Sequence, residues 1–160
     1  MNDATVIALA KDPRIIGIKD ATSDLARAAR LFAQLPAGFG CYSGDDATTL
    51  AYILLGGHGT ISVAANVVPR AMASLCSLAL AGDTKAARAL NSKLLSLYDA
   101  LSIDTNPIPV KYIVARLGWT SDGIRLPLVA LAEDKRRVVD AVIEQLGQWC
   151  EDVEARRFHK

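Results

Sequence analysis

The sequence predicts an α/β protein in which residues 1–66 build a parallel sheet or part of a barrel and residues 67–160 form a helical region. Three observations support this. Short apolar runs alternate with helical patterns up to about residue 66, and short Gly-, Pro- and Asp-containing connections join them. From Val67 onward every apolar repeat has the three- and four-residue spacing of a helix.

The elements follow in order. Residues 4–11 carry a helical pattern that Asp12-Pro13 ends. Ile15-Ile16-Gly17-Ile18 is a continuous apolar run of the kind buried in a parallel sheet. Thr22 or Ser23 can cap a helix over 24–34 whose Leu25, Ala28, Ala29 and Phe32 share one face, and Pro36-Ala37-Gly38 stops it. A second strand over 39–43 leads into Gly44-Asp45-Asp46, where two carboxylates suit the positive end of a helix reaching about Leu55. Gly56-Gly57-His58-Gly59 returns the chain into a third strand over 60–64. Helices are then expected over 69–81, 84–102, 109–117 and 134–149, separated by Gly82-Asp83, Asn106-Pro107 and the stretch 118–127. There is no internal repeat and no low-complexity linker.

With 51% hydrophobic and 22% charged residues the balance is that of a globular chain. The 18 basic and 17 acidic side chains nearly cancel, which gives no electrostatic reason to expect nucleic acid or an anionic membrane as partner. Cys41, Cys76 and Cys150 show no CxxC spacing and the histidines are not paired, so no metal site is expected and the thiols read as reduced. Charges interrupt the apolar stretch at the amino terminus, and no run is long enough to span a bilayer. A soluble, cytoplasmic protein is expected.

Lys19 is the residue most suited to chemistry. Strand alternation puts Ile15, Gly17 and Lys19 on one face and Ile16 and Ile18 on the other. Chemistry in parallel sheets and barrels gathers at the carboxyl ends of strands, where Lys19 sits. A lysine enclosed by apolar groups loses solvation of its ammonium, and the neutral amine can then attack a carbonyl carbon. The simpler alternative is a lysine that reaches solvent at a strand end, or one that pairs with Asp20 or Asp45. His58 reads as a turn residue, Asn106–Lys111 as a proline-fixed helix entry, and Tyr42, Tyr52, Tyr98 and Tyr112 as core or interface residues.

Four motifs in order bring a family into view. Ile15-Ile16-Gly17-Ile18-Lys19-Asp20-Ala21-Thr22 resembles the Schiff-base strand of the dihydrodipicolinate synthase family. Ser43-Gly44-Asp45-Asp46 resembles that family's next strand end, and the run from Gly56 to Asn66 its final barrel strand. Asn106-Pro107-Ile108-Pro109-Val110-Lys111 and Arg125-Leu126-Pro127-Leu128 resemble features of its helical region. The resemblance covers nearly residues 4–134 and implies the carboxyl-terminal part of a (β/α)8 TIM barrel, the equivalent of strands 6–8, followed by a carboxyl-terminal helical region. The tail from about Glu151 resembles nothing in the family.

By that resemblance Lys19 would hold pyruvate as an imine, whose enamine tautomer adds to the aldehyde of aspartate semialdehyde in lysine biosynthesis through diaminopimelate. The imine is the electron sink, so no cofactor or metal is implied. Gly44 would let substrate approach the backbone beside Ser43, and Ile61 would line the pyruvate site. The family's threonine pair for the pyruvate carboxylate, its proton-relaying tyrosine and its substrate arginine belong to a part that the motifs here do not cover. A chain acting alone is therefore expected to have little or no synthase activity, since orientation and proton transfer are each worth orders of magnitude. Expected partners are pyruvate, aspartate semialdehyde, and further copies of the chain or a missing amino-terminal half; Leu25, Ala26 and Leu55 lie on helices that could make such contacts. The alternatives are a pyruvate-dependent sugar-acid aldolase of the N-acetylneuraminate lyase type and a non-catalytic oligomerising fragment.

Overall fold

The structure, a computed structural model, describes residues 1–150; the final ten residues of the expected 67–160 region, with the tail from Glu151, lie outside the described residues. Those described contain no helix long and apolar enough to cross a membrane. They form two units: Met1–Ser62 with Leu75–Arg88, and Val63–Ser74 with Ala89 onward.

The first unit opens with helix α1 (Asp3–Leu9), capped by the Asn2 side chain, which accepts from the Thr5 amide at 2.9 Å. Strand β1 (Gly17–Asp20), helix α2 (Leu25–Phe32), strand β2 (Gly40–Ser43), helix α3 (Thr49–Leu54) and strand β3 (Gly59–Thr60) follow. The three strands form one sheet in the order β1-β2-β3, every pair parallel. The strand–helix alternation expected from the sequence is therefore present. A closed barrel of this type takes eight strands, and three leave the sheet open along both edges.

Several local expectations are corrected. The β-ladder begins at Gly17, two residues later than the apolar run, and continues through Asp20. Ile15 packs against the core beside Ile18, whereas Ile16 is 81% exposed, so the predicted pairing of faces holds only from Gly17 onward. Asp24, not Thr22 or Ser23, caps α2 by accepting from the Arg27 amide at 2.8 Å. Ser23 sits at φ 60, a left-handed turn position. On α2 the buried residues are Ala28 and Leu31, while Ala29 is exposed. Helix α3 starts at Thr49, after a turn in which Asp45 accepts from the Thr48 amide and hydroxyl. The third strand is only two residues long, and a 3-10 turn over Ala64–Asn66 takes the place of its predicted end.

The core of this unit joins Ala10, Ala28, Phe39, Cys41 and Tyr52, with Ile15, Ile18, Leu25, Phe32 and Leu35 packed around them. The Phe32 and Tyr52 rings meet edge to face at 5.1 Å. Burial pushes the Tyr52 hydroxyl and the Cys41 and Cys76 thiols up from their ordinary pKa values, so all three stay protonated near neutrality.

The helices α4 (Pro69–Leu80), α5 (Thr84–Leu101), α6 (Ile108–Arg116) and α7 (Glu133–Leu146) match the expected set to within a few residues at each end. Gly82 at φ 78 separates α4 from α5, and Gly118 at φ 74 ends α6, conformations that glycine adopts without strain. In the second unit α6 packs on α7. Its fully buried side chains include Leu94, Leu97, Ile113 and Leu146. Asp140 of α7 accepts from the Tyr112 hydroxyl and Arg116 Nε, both at 3.0 Å.

Candidate active site

Two faces of the small sheet do different work. The register pairs Gly17 with Gly40, Lys19 with Tyr42, and Asp20 with Ser43, then Tyr42 with Gly59 and Ser43 with Thr60. In a parallel ladder paired side chains point the same way. One face therefore carries Gly17, Lys19, Gly40, Tyr42 and Gly59, and the other Ile18, Asp20, Cys41, Ser43 and Thr60.

The first face is open. Lys19 and Tyr42 are exposed, and Ile61, just past β3, is 51% exposed. Glycines give this face its form. A Cβ on Gly17 would fall 2.6 Å from the Gly40 carbonyl oxygen, and one on Gly40 would meet the Tyr42 ring at 2.8 Å. The Tyr42 ring thus lies back over Gly40, toward the start of its strand. A Cβ on Gly44 would lie 2.7 Å from Lys19 Cε and 2.7 Å from the Ala21 Cβ. The lysine stem therefore runs along the bare backbone of Gly44.

The Lys19 amine forms no hydrogen bond or ion pair among the described residues, so the alternative of pairing with Asp20 or Asp45 does not apply. Neither carboxylate is free for it. Asp20 turns to the opposite face, where it is 5% exposed, and its Oδ2 accepts from Arg27 Nη1 at 2.7 Å. Its Oδ1 accepts from the Thr22 amide at 3.0 Å and the Thr22 hydroxyl at 2.7 Å. Arg27 Nε reaches on to Asp3 Oδ1 at 2.7 Å, which ties the end of β1 to α2 and α1. Burial opposes the charge on Arg27, but the bond to Asp3 and the carboxylates of Asp20 and Asp3 outweigh it and raise its pKa.

Beneath the ends of β2 and β3 lies a hydroxyl cluster. Thr49 Oγ1 is 3.2 Å from Ser43 Oγ and 3.1 Å from Thr60 Oγ1, and Thr60 donates to the Ser43 carbonyl at 3.0 Å. The Ser43 hydroxyl donates to the Asp45 carbonyl at 2.9 Å. Amides complete the strand ends: Gly44 N donates to the Asp20 carbonyl at 2.7 Å and Ile61 N to the Ser43 carbonyl at 2.8 Å.

The predicted site residues therefore divide. Lys19, Gly44 and Ile61 belong to the open face at the carboxyl end of the sheet. Ser43 is 1% exposed and its side chain faces away, so only its main chain adjoins that end. The apolar enclosure expected around Lys19 is not supplied by the described residues, because the face it stands on is uncovered. His58 has a structural part: its Nδ1 accepts from the Cys41 amide at 3.1 Å. Tyr42, expected in a core or interface, is not in the core and stands on the open face. Sequence reasoning missed the Asp20–Arg27–Asp3 chain; the one available signal was a basic residue seven positions after Asp20, on the helix that covers the strand. No group of three or more His, Cys, Asp or Glu that could hold a metal ion occurs among the described residues.

Comparison with known proteins bears on this arrangement. The model of the dihydrodipicolinate synthetase family matches residues 1–146. The 4-hydroxy-tetrahydrodipicolinate synthase of Azoarcus sp. (strain BH72) is 50% identical over 147 residues, 92% of this chain and 50% of the relative. That of Nitrosomonas europaea is 48% identical over 147 residues, with the same coverage of 92% and 50%. Among solved structures, dihydrodipicolinate synthase from Aquifex aeolicus superposes with a TM-score of 0.89 at 34% identity, covering 94% of this chain and 52% of that one. The chloride-inhibited enzyme from Acinetobacter baumannii complexed with pyruvate gives 0.88 at 42% identity, covering 91% and 50%. The chain spans about half the length of the curated relatives it matches. With the family model matching from Met1 through the last turn of α7, the chain belongs to the dihydrodipicolinate synthetase family.

Proposed function

We propose that this chain is the lysine-bearing half of a pyruvate-dependent lyase that condenses pyruvate with aspartate semialdehyde, the 4-hydroxy-tetrahydrodipicolinate synthase reaction of lysine biosynthesis. On this reading β1, β2 and β3 are the last three strands of an eight-stranded β/α barrel. The observation that carries it is an unpartnered amine, Lys19, at the carboxyl end of a parallel strand and laid along a glycine of the next strand end.

In the reaction Lys19 Nζ adds to the ketone carbon of pyruvate, and the former carbonyl oxygen leaves as water to give an imine. Loss of a methyl proton gives the enamine. Its carbon attacks the aldehyde carbon, forming the new carbon–carbon bond while the aldehyde oxygen takes up a proton and the imine is restored. Addition of the second substrate's own amine to the imine carbon then expels Lys19 Nζ as the free amine. Gly44 leaves room for the bound carbon skeleton beside the main chain of Ser43, and Ile61 lines the apolar side. The Asp20–Arg27–Asp3 chain and the hydroxyl cluster hold the two strand ends from behind.

Lys19 stands in solvent, so efficient turnover requires a further layer over the open face. That layer would come from an amino-terminal half or another copy of the chain, which would also pair the sheet edges. Pyruvate followed by borohydride tests the reading. The expected product is one reduced adduct on Lys19 by peptide mass spectrometry, absent in Lys19→Arg. No adduct, or adducts spread over Lys11, Lys85, Lys93 and Lys111, would overturn it.

A further inference from the structure

The second unit contains a cavity of about 490 Å³ between α6, the segment 118–131 and the start of α7. Its lining residues all belong to that unit, and none belongs to the Lys19 sheet. The size falls within the range of small-molecule sites. It also includes Lys111, the last residue of a sequence motif to which the lyase reading gives no role.

The charged groups on its wall are three cations, Lys111, Arg116 and Arg136, against one acid, Asp122. Two of the cations are fixed in place. Arg136 Nε donates to the Leu131 carbonyl at 2.6 Å, and its guanidinium lies 5.5 Å from the centre of the Tyr112 ring. Arg116 Nε is held by Asp140, whose carboxylate is also occupied by the Tyr112 hydroxyl. The Lys111 side-chain amine forms no hydrogen bond or ion pair among the described residues. The remaining wall is apolar, formed chiefly by Ile108, Ile124 and Leu131.

We propose that this cavity binds a small organic carboxylate with an apolar body, its charged end met by Lys111 and Arg136 and its body laid against Ile108, Ile124 and Leu131. Arg136 Nη1 also lies 3.9 Å from Glu133 Oε2, a loose pair at the exposed side, and a guanidinium already fixed through Nε loses little rotamer freedom on binding. An ion as small and fully hydrated as phosphate would leave most of the apolar wall uncovered, so the cavity selects for a carboxylate attached to hydrocarbon. The site is independent of imine formation on Lys19.

The test titrates the full chain, 15N-labelled, with benzoate, and uses inorganic phosphate as the charge-only probe. Saturable amide shifts confined to residues 108–136 are expected with benzoate and not with phosphate. Lys111→Gln removes a charge that supports nothing else, so its fold is retained; Arg136→Gln removes the second. Each is expected to weaken benzoate binding about tenfold, the loss of one charge-assisted hydrogen bond, while Lys85→Gln changes nothing. Absent or non-saturating shifts, equal binding of phosphate, or undiminished binding by Lys111→Gln would each overturn the proposal.

Discussion

Replacing Arg27 with methionine keeps most of the aliphatic stem and removes only the guanidinium. The Asp20 side chain, 3% exposed, then loses the partner of Oδ2 at 2.7 Å while Oδ1 keeps both contacts from Thr22. Removing one member of a buried ion pair costs about 3–5 kcal/mol, because the remaining charge is left desolvated. The two surviving donors put this case at the lower end, about 3 kcal/mol. With a urea dependence of about 2 kcal/mol per molar, the unfolding midpoint should fall by roughly 1.5 M, read by circular dichroism. The decisive comparison is the double variant Arg27→Met/Asp20→Asn. If the damage comes from the stranded charge, neutralising Asp20 recovers most of the loss, a strong departure from additivity. A single-variant shift below about 0.3 M, or a double variant less stable than Arg27→Met, would refute the reasoning.

Two further predictions follow from named contacts. Gly44→Ala puts a methyl group 2.7 Å from both Lys19 Cε and the Ala21 Cβ; the lysine tip can swing aside but Ala21 cannot, so a loss of about 1–3 kcal/mol is expected together with a lower yield of the borohydride-trapped adduct. Asp104 is held below its ordinary pKa by the Lys135 side chain at 2.7 Å and by the Thr105 amide. A depressed carboxylate contributes stability that is present above its unfolded value near 3.8 and is lost as pH falls through the lower folded value. Asp104→Asn should therefore flatten the acid limb of the stability profile below about pH 4 and leave its slope at neutral pH unchanged, as measured by thermal unfolding across pH.

Much of this architecture could be read from the chain because local and tertiary demands agree. Leu94 and Leu97 of α5 and Ile113 of α6 are all fully buried, as their spacing requires. The α2 start was misread because Thr22, Ser23 and Asp24 can all cap; the left-handed turn at Ser23 leaves Asp24 facing the open amides. Ile16 was misread for a different reason. An apolar run signals burial, and Ile15 and Ile18 do pack on the core, but nothing within the described residues covers the Ile16 side chain between them. The position of Lys19 at a strand end could be read from the sequence because the apolar run and the motif around it coincide; its chemistry is the proposal that borohydride trapping tests. The Asp20–Arg27–Asp3 chain was not legible, since three charges spread over 25 residues look like solvated surface until the helices are packed. The cavity over α6 was hidden likewise, because Lys111 and Arg136 lie in separate helices.

The bare backbone of Gly17 has a consequence for whatever meets this sheet. A Cβ there would fall 2.6 Å from the Gly40 carbonyl oxygen, and the Tyr42 ring already fills the space over Gly40, so the first strand pair presents a shallow trough at Gly17 beside an aromatic wall. Tight packing requires large groups opposite small ones. A layer covering the trough must therefore bring its own wide side chains to it, and a layer of small residues would leave a void costing on the order of 1 kcal/mol per missing methyl group. Gly17 thus dictates the size of residues that lie on another stretch of polypeptide.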